Sequence, residues 1–150
     1  GIIMHNDELI EILKQDLKNE RKHMLFYLTH ASTITGNNRI SLRNFLMGEA
    51  ASEMKHVQEF QDFIIGMNGK LEDSDVEFVD FPVLTDAEQI IRYAYNMEME
   101  VVRNYCNRLK DAESLNDFAS FKWLEVFLEQ QIEHSRSDAD NLKQILSNFK

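Results

Sequence analysis

Four long stretches of the sequence place apolar residues at steps of three and four, the spacing that one face of an α-helix requires. Only one proline and five glycines interrupt the 150 residues, and most of the others are good helix formers. The pattern therefore predicts an all-α chain folded as a single domain over residues 1–150. The predicted helices cover about residues 7–35, 41–66, 86–112 and 116–148.

The connection between the second and third helices is long, covering about residues 67–85. An extended segment of about 20 residues reaches about 66 Å, whereas a helix of about 26 residues is only about 39 Å long. The segment can therefore return along the whole bundle, so that the second and third helices run parallel. The expected architecture is an up-down-down-up four-helix bundle. Thr85 and Glu88 predict a capping box at the start of the third helix.

Polar side chains interrupt every apolar stripe close to the middle of its helix. They are Glu20 in the first helix, Glu53 and His56 in the second, Glu98 in the third, and Gln131 and His134 in the fourth. A helix rises about 1.5 Å per residue, which puts these positions near mid-height of a bundle about 42 Å tall. Burying several carboxylates together costs several kcal/mol per ion unless cations offset the charge. The sequence therefore predicts a metal centre in the core.

The types of ligand narrow the choice of metal. Carboxylate oxygens and imidazole nitrogens without thiolates suit iron, manganese or zinc, and carboxylates can bridge two ions about 3.5 to 4 Å apart. Tyr27 lies two turns after Glu20 on the same helical face. It either fills the core or donates a hydrogen bond to a metal-bound carboxylate. The second role makes Tyr27 the candidate catalytic side chain. Glu49 and Asp138 lie one turn from predicted ligands, where they orient ligands, guide metal entry or reach solvent.

The motif Glu-x-x-His, which places two ligands on one helical face, occurs twice in the chain. A single copy is weak evidence, because about 0.5 chance matches are expected for this content of Glu and His. The copy at Glu53 and His56 lies on an apolar stripe. In the other copy His23 lies off the stripe that leads from Glu20 to Met24, so we interpret His23 as a residue on the helix flank.

Acidic residues outnumber basic residues by 26 to 16, which gives a net charge of −10. Such a chain repels phosphate backbones and attracts metal cations, so we expect no nucleic-acid partner. Cys106 is the only cysteine, which excludes an intramolecular disulfide and favours a reducing, cytoplasmic location. No apolar run approaches the roughly 20 residues of a membrane span, and the N-terminus lacks the pattern of a signal peptide.

These motifs give the chain a resemblance to the ferritin and bacterioferritin superfamily from Leu9 to Leu146. The matching segments are Leu17-Lys18-Asn19-Glu20 with Tyr27, Glu53-Met54-Lys55-His56, Met97-Glu98, and Gln131-Ile132-Glu133-His134. The resemblance implies a ferroxidase centre, in which two ferrous ions bind, oxygen or peroxide oxidises them, and the ferric product passes to a mineral store. It also implies that Glu53 bridges the two ions.

The chain departs from the family pattern at two places. Gln131 stands where bacterioferritin-like centres have a second bridging Glu, although some ferritins have Gln, and this implies a weaker or more mobile second metal. The chain also ends about 16 residues after His134, which leaves no room for the short fifth helix of cage-forming members. The resemblance implies a homo-oligomer, either dimers or a shell of about 24 subunits.

Met54 matches the position where bacterioferritins place a haem-ligating methionine at a two-fold contact between subunits. It points about 100° away from Glu53 on the same helix. The alternative is an ordinary methionine at an interface between subunits. Haem is therefore a possible second cofactor in addition to the two iron ions.

Three other functions remain open at this stage. A rubrerythrin-like protein reduces peroxide, but such proteins usually add a domain that needs four cysteines. DNA-protecting mini-ferritins typically take metal ligands from a subunit interface and often carry basic tails. A non-catalytic helical bundle would bind no metal and would lose little stability on chelation.

Overall fold

The computed structural model describes residues 6–77 and 80–149 of the chain. Its helices are α1 (Asn6–Thr33), α2 (Arg39–Gly66), α3 (Ala87–Ala112) and α4 (Phe118–Leu146), with a short 3-10 helix (Asp73–Val76) between α2 and α3. The all-α prediction is confirmed, and the helix boundaries differ from the predicted ones by no more than two residues. Residues 1–5, 78–79 and 150, which the predicted domain and crossover include, lie outside the described residues. Within the described ranges, no helix combines the length and apolarity needed to cross a membrane.

Two apolar clusters divide the core and define the direction of each helix. One cluster joins the first halves of α1 and α4 to the last halves of α2 and α3, through residues that include Leu13, Phe60, Tyr105 and Leu128. The other cluster joins the opposite halves, through residues that include Phe26, Leu46, Ile91 and Leu142. Helices α1 and α4 therefore run in one direction and α2 and α3 in the other. The predicted up-down-down-up bundle is confirmed.

The crossover between α2 and α3 is attached to α1 near both ends of the bundle. At its start, Asp75 Oδ2 lies 3.1 Å from Nζ of Lys14, which is in the third turn of α1. At its end, the backbone nitrogen of Leu84 donates to His30 Nε2 at 2.9 Å, and Thr33 Oγ1 donates to the carbonyl oxygen of Leu84 at 2.7 Å. The connection thus travels along α1 and brings α3 back to the end at which α2 begins, as its length predicts.

The start of α3 is capped one residue later than predicted. Asp86 has an extended backbone conformation, and its carboxylate accepts a hydrogen bond of 3.0 Å from the backbone nitrogen of Gln89. The predicted capping box of Thr85 and Glu88 is wrong, because the carboxylate of Asp86 already reaches the unpaired amides of the first turn. Helix α3 therefore begins at Ala87.

Candidate metal centre

A polar layer separates the two apolar clusters at mid-height of the bundle. None of its members is more than 9% exposed, and they are Glu20, His23, Glu49, Glu53, His56, Glu98, Gln131, Ser135 and Asp138. His134 lies at the edge of this layer, with a side chain that is 33% exposed. Five carboxyl groups thus share one small volume of the core. Such a cluster is strongly destabilising unless protons or cations neutralise it.

The first part of the layer lies where α1 meets α2. His56 Nδ1 is 3.3 Å from Glu53 Oε2 and 3.7 Å from Glu20 Oε2. Glu53 and His56 are three residues apart on α2, so both side chains project from one helical face. The ligand atoms of Glu20, His23 and Glu53 also lie within 4.8 Å of one another. Two carboxylates and two imidazoles therefore converge here.

The interpretation of His23 as a flank residue is wrong. His23 is only 6% exposed, whereas Met24, which was taken to define the core stripe, lines an apolar depression on the outer surface between α1 and α2. The core face of α1 is therefore centred between Glu20 and His23. Periodicity alone did not reveal this, because Met24 is apolar although it faces outward.

The second part of the layer lies between α2, α3 and α4. The ligand atoms of Glu49, His134 and Asp138 lie within 4.8 Å of one another. His134 Nε2 is 2.9 Å from Asp138 Oδ2, which is within ion-pair distance, and this carboxylate raises the pKa of His134. The rings of His56 and His134 meet edge to face, with centroids 4.8 Å apart. This contact joins the two parts of the layer.

Two tyrosines hold the carboxylates of the opposite helix. Tyr27 on α1 donates a hydrogen bond of 2.7 Å from its hydroxyl to Glu98 Oε1 on α3. Tyr105 on α3 donates from its hydroxyl to Glu20 Oε1 on α1. Each tyrosine follows a glutamate of its own helix by seven residues, and because α1 and α3 run antiparallel, the pairs cross over. The predicted hydrogen-bonding role of Tyr27 toward a carboxylate is present, whereas the sequence reasoning missed Tyr105.

Protons neutralise part of the charge when no metal is bound. Burial, followed by the neighbouring charge of Glu20, raises the pKa of Glu53 well above its usual range. Burial also opposes ionisation of Glu20, but hydrogen bonding, led by that with Glu53, lowers the pKa of Glu20 to about 2. Burial raises the pKa of Glu98 to about 8, and burial with the adjacent Asp138 raises the pKa of Glu49 to about 10. The layer therefore stores protons that a metal ion can displace.

Six buried ligand atoms of the layer lack hydrogen-bond partners within residues 6–77 and 80–149. They are Glu20 Oε2, His23 Nδ1, Glu49 Oε2, Glu98 Oε2, His134 Nε2 and Asp138 Oδ2. An unsatisfied buried polar atom costs about 1 to 3 kcal/mol, and a charged one costs more. Oxygen and imidazole nitrogen atoms are the ligands that iron, manganese and zinc accept. The residues of this layer therefore fit a centre that binds more than one divalent cation.

The remaining predicted ligand, Gln131, is 3% exposed, but its amide is engaged elsewhere. Its Nε2 donates to Glu59 Oε2 at 3.4 Å, and Glu59 follows His56 by three residues on α2. Glu49 and Asp138, whose role the sequence left open, are 8% and 5% exposed and face the layer. The sequence indicated this possibility, because Glu49 lies one turn from Glu53 and Asp138 lies one turn from His134.

Met54, the predicted haem ligand, points away from the layer and is 62% exposed. It lines the apolar depression between the outer faces of α1 and α2, which has a volume of about 440 Å³. The other lining residues are Met24, Leu28, Met47, Ala50 and Ala51. Met54 therefore belongs to an outward apolar surface and not to the metal layer.

The fold and the layer together define a class: a four-helix bundle with a long crossover and a buried set of carboxylates and imidazoles. Residues 10–149 match the ferritin family, described as a ferritin-like domain. The chain therefore belongs to the ferritin-like family, which confirms the resemblance drawn from the sequence motifs. A comparison with curated protein sequences gave no significant match.

Solved structures share this fold over nearly the whole chain. A ferritin-like diiron-carboxylate protein from Bacillus anthracis str. Ames has a TM-score of 0.84 and 25% identity, covering 96% of this chain and 99% of that one. Mycobacterium tuberculosis bacterioferritin BfrA has a TM-score of 0.80 and 15% identity, with coverages of 97% and 87%. The dodecameric thioferritin of Bacteroides fragilis, a bacterioferritin-related protein, has a TM-score of 0.74 and 20% identity, with coverages of 98% and 94%.

Proposed function

We propose that this protein is a ferroxidase, which binds two ferrous ions in the polar layer and oxidises them with oxygen or peroxide for iron storage and detoxification. The observation that carries the proposal is the group of six buried ligand atoms in the polar layer that lack hydrogen-bond partners within the described residues. Membership of the ferritin-like family supports it. So does the similarity to the Bacillus anthracis protein, which is described as a diiron-carboxylate protein.

In this proposal the two ions share Glu53. Glu20 and His56 complete one position, while Glu98 and His134 belong to the other. The central place of Glu53 supports this division, because its ligand atoms lie within 4.8 Å of the Glu20 and His23 group and also of the His56 and His134 group. A carboxylate so placed can bridge two ions about 3.5 to 4 Å apart.

The side chains of the layer orient ligands and handle protons. Tyr27 holds Glu98 at 2.7 Å, and Tyr105 holds Glu20, so each carboxylate keeps a second oxygen for a cation. Glu53 and Glu98, whose pKa values are raised by burial, release protons when a cation binds. Bound iron supplies one electron per ferrous ion. Two electrons and two protons convert one molecule of dioxygen to hydrogen peroxide, or one molecule of hydrogen peroxide to two molecules of water.

Oxidation assays test the proposal directly. Ferrous iron is added with oxygen or with peroxide, while ferric absorbance and oxygen uptake are followed. We expect oxidation faster than in buffer for the wild type and for Glu133→Gln, a matched control at an exposed position between Gln131 and His134. Glu53→Gln should oxidise no faster than buffer. A wild type that matches buffer with both oxidants would exclude a ferroxidase. Oxidation that depends on peroxide and leaves no ferric mineral with the protein would favour a rubrerythrin-like peroxide reductase.

We also propose that the chain forms homo-oligomers through the outward apolar depression between α1 and α2. Leu28, Met47 and Met54 on this surface are 47%, 42% and 62% exposed, and apolar patches of this kind commonly mark subunit contacts. Light scattering of the wild type and Met54→Glu tests this, because a charge at the contact should lower the molar mass. An unchanged molar mass would place the contact elsewhere.

Haem ligation by Met54 stays a proposal that depends on this contact. A methionine ligates haem iron through its thioether sulfur. Haem added to the purified oligomer should then give a low-spin visible spectrum that Met54→Leu abolishes. The same spectrum in the variant, or none in the wild type, would leave Met54 as an interface residue only.

A further inference from the structure

One group in the polar layer offers a metal position that the family resemblance does not assign. We infer that Glu49, His134 and Asp138 hold the second ion, in place of the bridging carboxylate that is missing at Gln131. This inference rests on the proposed function, because it concerns one of the two ions of that centre. It places the second ion on the side of His134 that is nearer to the end at which α2 begins.

The geometry of the three side chains is that of neighbouring ligands. Their ligand atoms lie within 4.8 Å of one another, and His134 Nε2 is 2.9 Å from Asp138 Oδ2. Two ligands that each lie about 2.1 Å from an ion, at right angles, are about 3 Å apart. At this distance the two side chains form an ion pair when no cation is bound.

The two carboxylates of this group are buried in the core, unlike a cluster of acidic side chains on the surface. Glu49 is 8% exposed and Asp138 is 5% exposed. Glu49 Oε2, Asp138 Oδ2 and His134 Nε2 find no hydrogen-bond partner in the part of the chain that the structure describes. Buried carboxylates with unpaired oxygens persist in a core only where a cation or a proton compensates them.

Gln131 explains why a carboxylate is needed here. A neutral amide cannot supply the negative charge of a bridging carboxylate, and the amide of Gln131 donates to Glu59 at 3.4 Å. Asp138 follows Gln131 by seven residues on the same face of α4, and Glu49 precedes Glu53 by four residues on the same face of α2. Asp138 and Glu49 therefore supply, on the other side of His134, the negative charge that Gln131 lacks.

Glu98 is available to complete this position. Its Oε1 accepts from Tyr27 at 2.7 Å, while its Oε2 is buried and unpaired within the described chain. Glu98 and Asp138 are both buried in the polar layer, where their negative charges repel each other. A cation between them would remove this repulsion.

Cobalt binding distinguishes a metal site at Glu49, His134 and Asp138 from an ion pair between His134 and Asp138 alone. Co(II) is titrated into metal-free protein and followed by calorimetry and by its visible absorption, which reports ligand number and geometry. We expect two ions per chain for the wild type and for Asp140→Asn, an exposed control on α4. Asp138→Asn should weaken the binding of one ion by about 100-fold and leave the affinity for the other ion unchanged. Adding Gln131→Glu to Asp138→Asn should restore the second ion.

Glu49→Gln provides a second variant in case Asp138→Asn fails to fold. Glu49 is only 8% exposed, and a glutamine has the same shape without the charge, so this variant should preserve the fold and still weaken binding of the same ion. Two ions bound with wild-type affinity in both variants would overturn the inference and identify His134 and Asp138 as an ion pair. A wild type that binds no Co(II) would contradict the proposed function itself.

Discussion

The hydroxyl of Tyr27 on α1 donates a hydrogen bond of 2.7 Å to Glu98 on α3. The reciprocal bond from Tyr105 on α3 to Glu20 on α1 lies in the same layer. The two bonds fix one oxygen of each carboxylate and leave the other unpaired within the described residues. The layer is therefore arranged before any cation arrives, which lowers the entropy cost of binding.

Removing either tyrosine hydroxyl should destabilise the metal-free protein. Tyr27→Phe and Tyr105→Phe each leave a buried carboxyl oxygen without its donor, which costs about 1 to 3 kcal/mol of unfolding free energy. Urea unfolding at neutral pH measures the loss. Tyr95→Phe, at a half-buried position of α3, is the control and should change stability by less than about 0.5 kcal/mol. Equal effects in all three variants would show that the hydroxyls do not support the layer.

Glu53→Gln should retain the fold of the metal-free protein but lose metal binding. Burial, followed by the charge of Glu20, raises the pKa of Glu53 well above the usual range. A neutral amide of the same shape should therefore be tolerated in the metal-free protein. Saturating metal should raise the Tm of the wild type by about 5 to 10 °C and leave the Tm of Glu53→Gln unchanged. Thermal unfolding with and without Mn(II) makes the comparison. An equal rise in both proteins would exclude Glu53 as a ligand.

The stability of the metal-free protein should fall as the pH rises from about 5 to 8. Burial raises the pKa of Glu98 to about 8 and that of Glu49 to about 10, so the folded state keeps protons that the unfolded chain releases. This stabilisation is complete below the unfolded pKa of about 4.5 and is lost as the pH rises through the folded values. Burial lowers the pKa values of His23 and His30, which acts in the opposite direction. The raised pKa values of Glu53 and Asp16 add to the fall in stability.

Urea unfolding at pH 5.5 and pH 8 measures this dependence, in chelator and in saturating Mn(II). Bound metal should reverse the sign, because the carboxylates must lose their protons to bind it. Metal-free protein that becomes more stable at pH 8 would show that Glu49 and Glu98 are ionised in the folded state.

Arg108 should be essential for stability because it neutralises Asp16 beneath the layer. Asp16 is 1% exposed, and its two oxygens lie 2.8 Å from Arg108 Nε and 3.3 Å from Nη2. Burial nevertheless raises the pKa of Asp16 to about 6. Arg108→Met should cost about 3 to 5 kcal/mol at pH 8, and less at pH 5, where Asp16 takes up a proton.

The matched control for Arg108 is Arg92, which pairs with Glu88 at 3.1 Å on the exposed face of α3. Arg92→Met should cost less than about 1 kcal/mol, because exposed ion pairs contribute little. Chemical unfolding at both pH values tests the pair of variants. Equal losses for the two arginines, or a loss for Arg108→Met that does not depend on pH, would contradict the account.

The sequence predicted the fold well because its signals are local. Helix periodicity and the length of the crossover depend on neighbouring residues, and together they specify the direction of all four helices. The capping prediction at Thr85 failed by one residue because both Thr85 and Asp86 are good N-cap residues, and only the backbone conformation distinguishes them. Local patterns therefore determined the elements, but not every boundary.

The candidate site was less predictable because its details depend on contacts between helices. Met24 appeared to belong to the core stripe, although it faces an outward apolar surface, and this error hid the burial of His23. The crossed pairs of Tyr27 with Glu98 and Tyr105 with Glu20 depend on the antiparallel packing of α1 and α3. Periodicity shows that a face is apolar, but not whether the core or another subunit covers it.

Mössbauer spectroscopy tests the central claim most directly. Metal-free protein is loaded with two ferrous ions per chain in the absence of oxygen and is then exposed to oxygen or peroxide. We expect both ions to bind in the polar layer and to become a magnetically coupled pair of ferric ions, and we expect Glu53→Gln to prevent this. Ferrous iron that stays in solution, or ferric iron found only as isolated ions, would contradict a two-iron centre in this bundle.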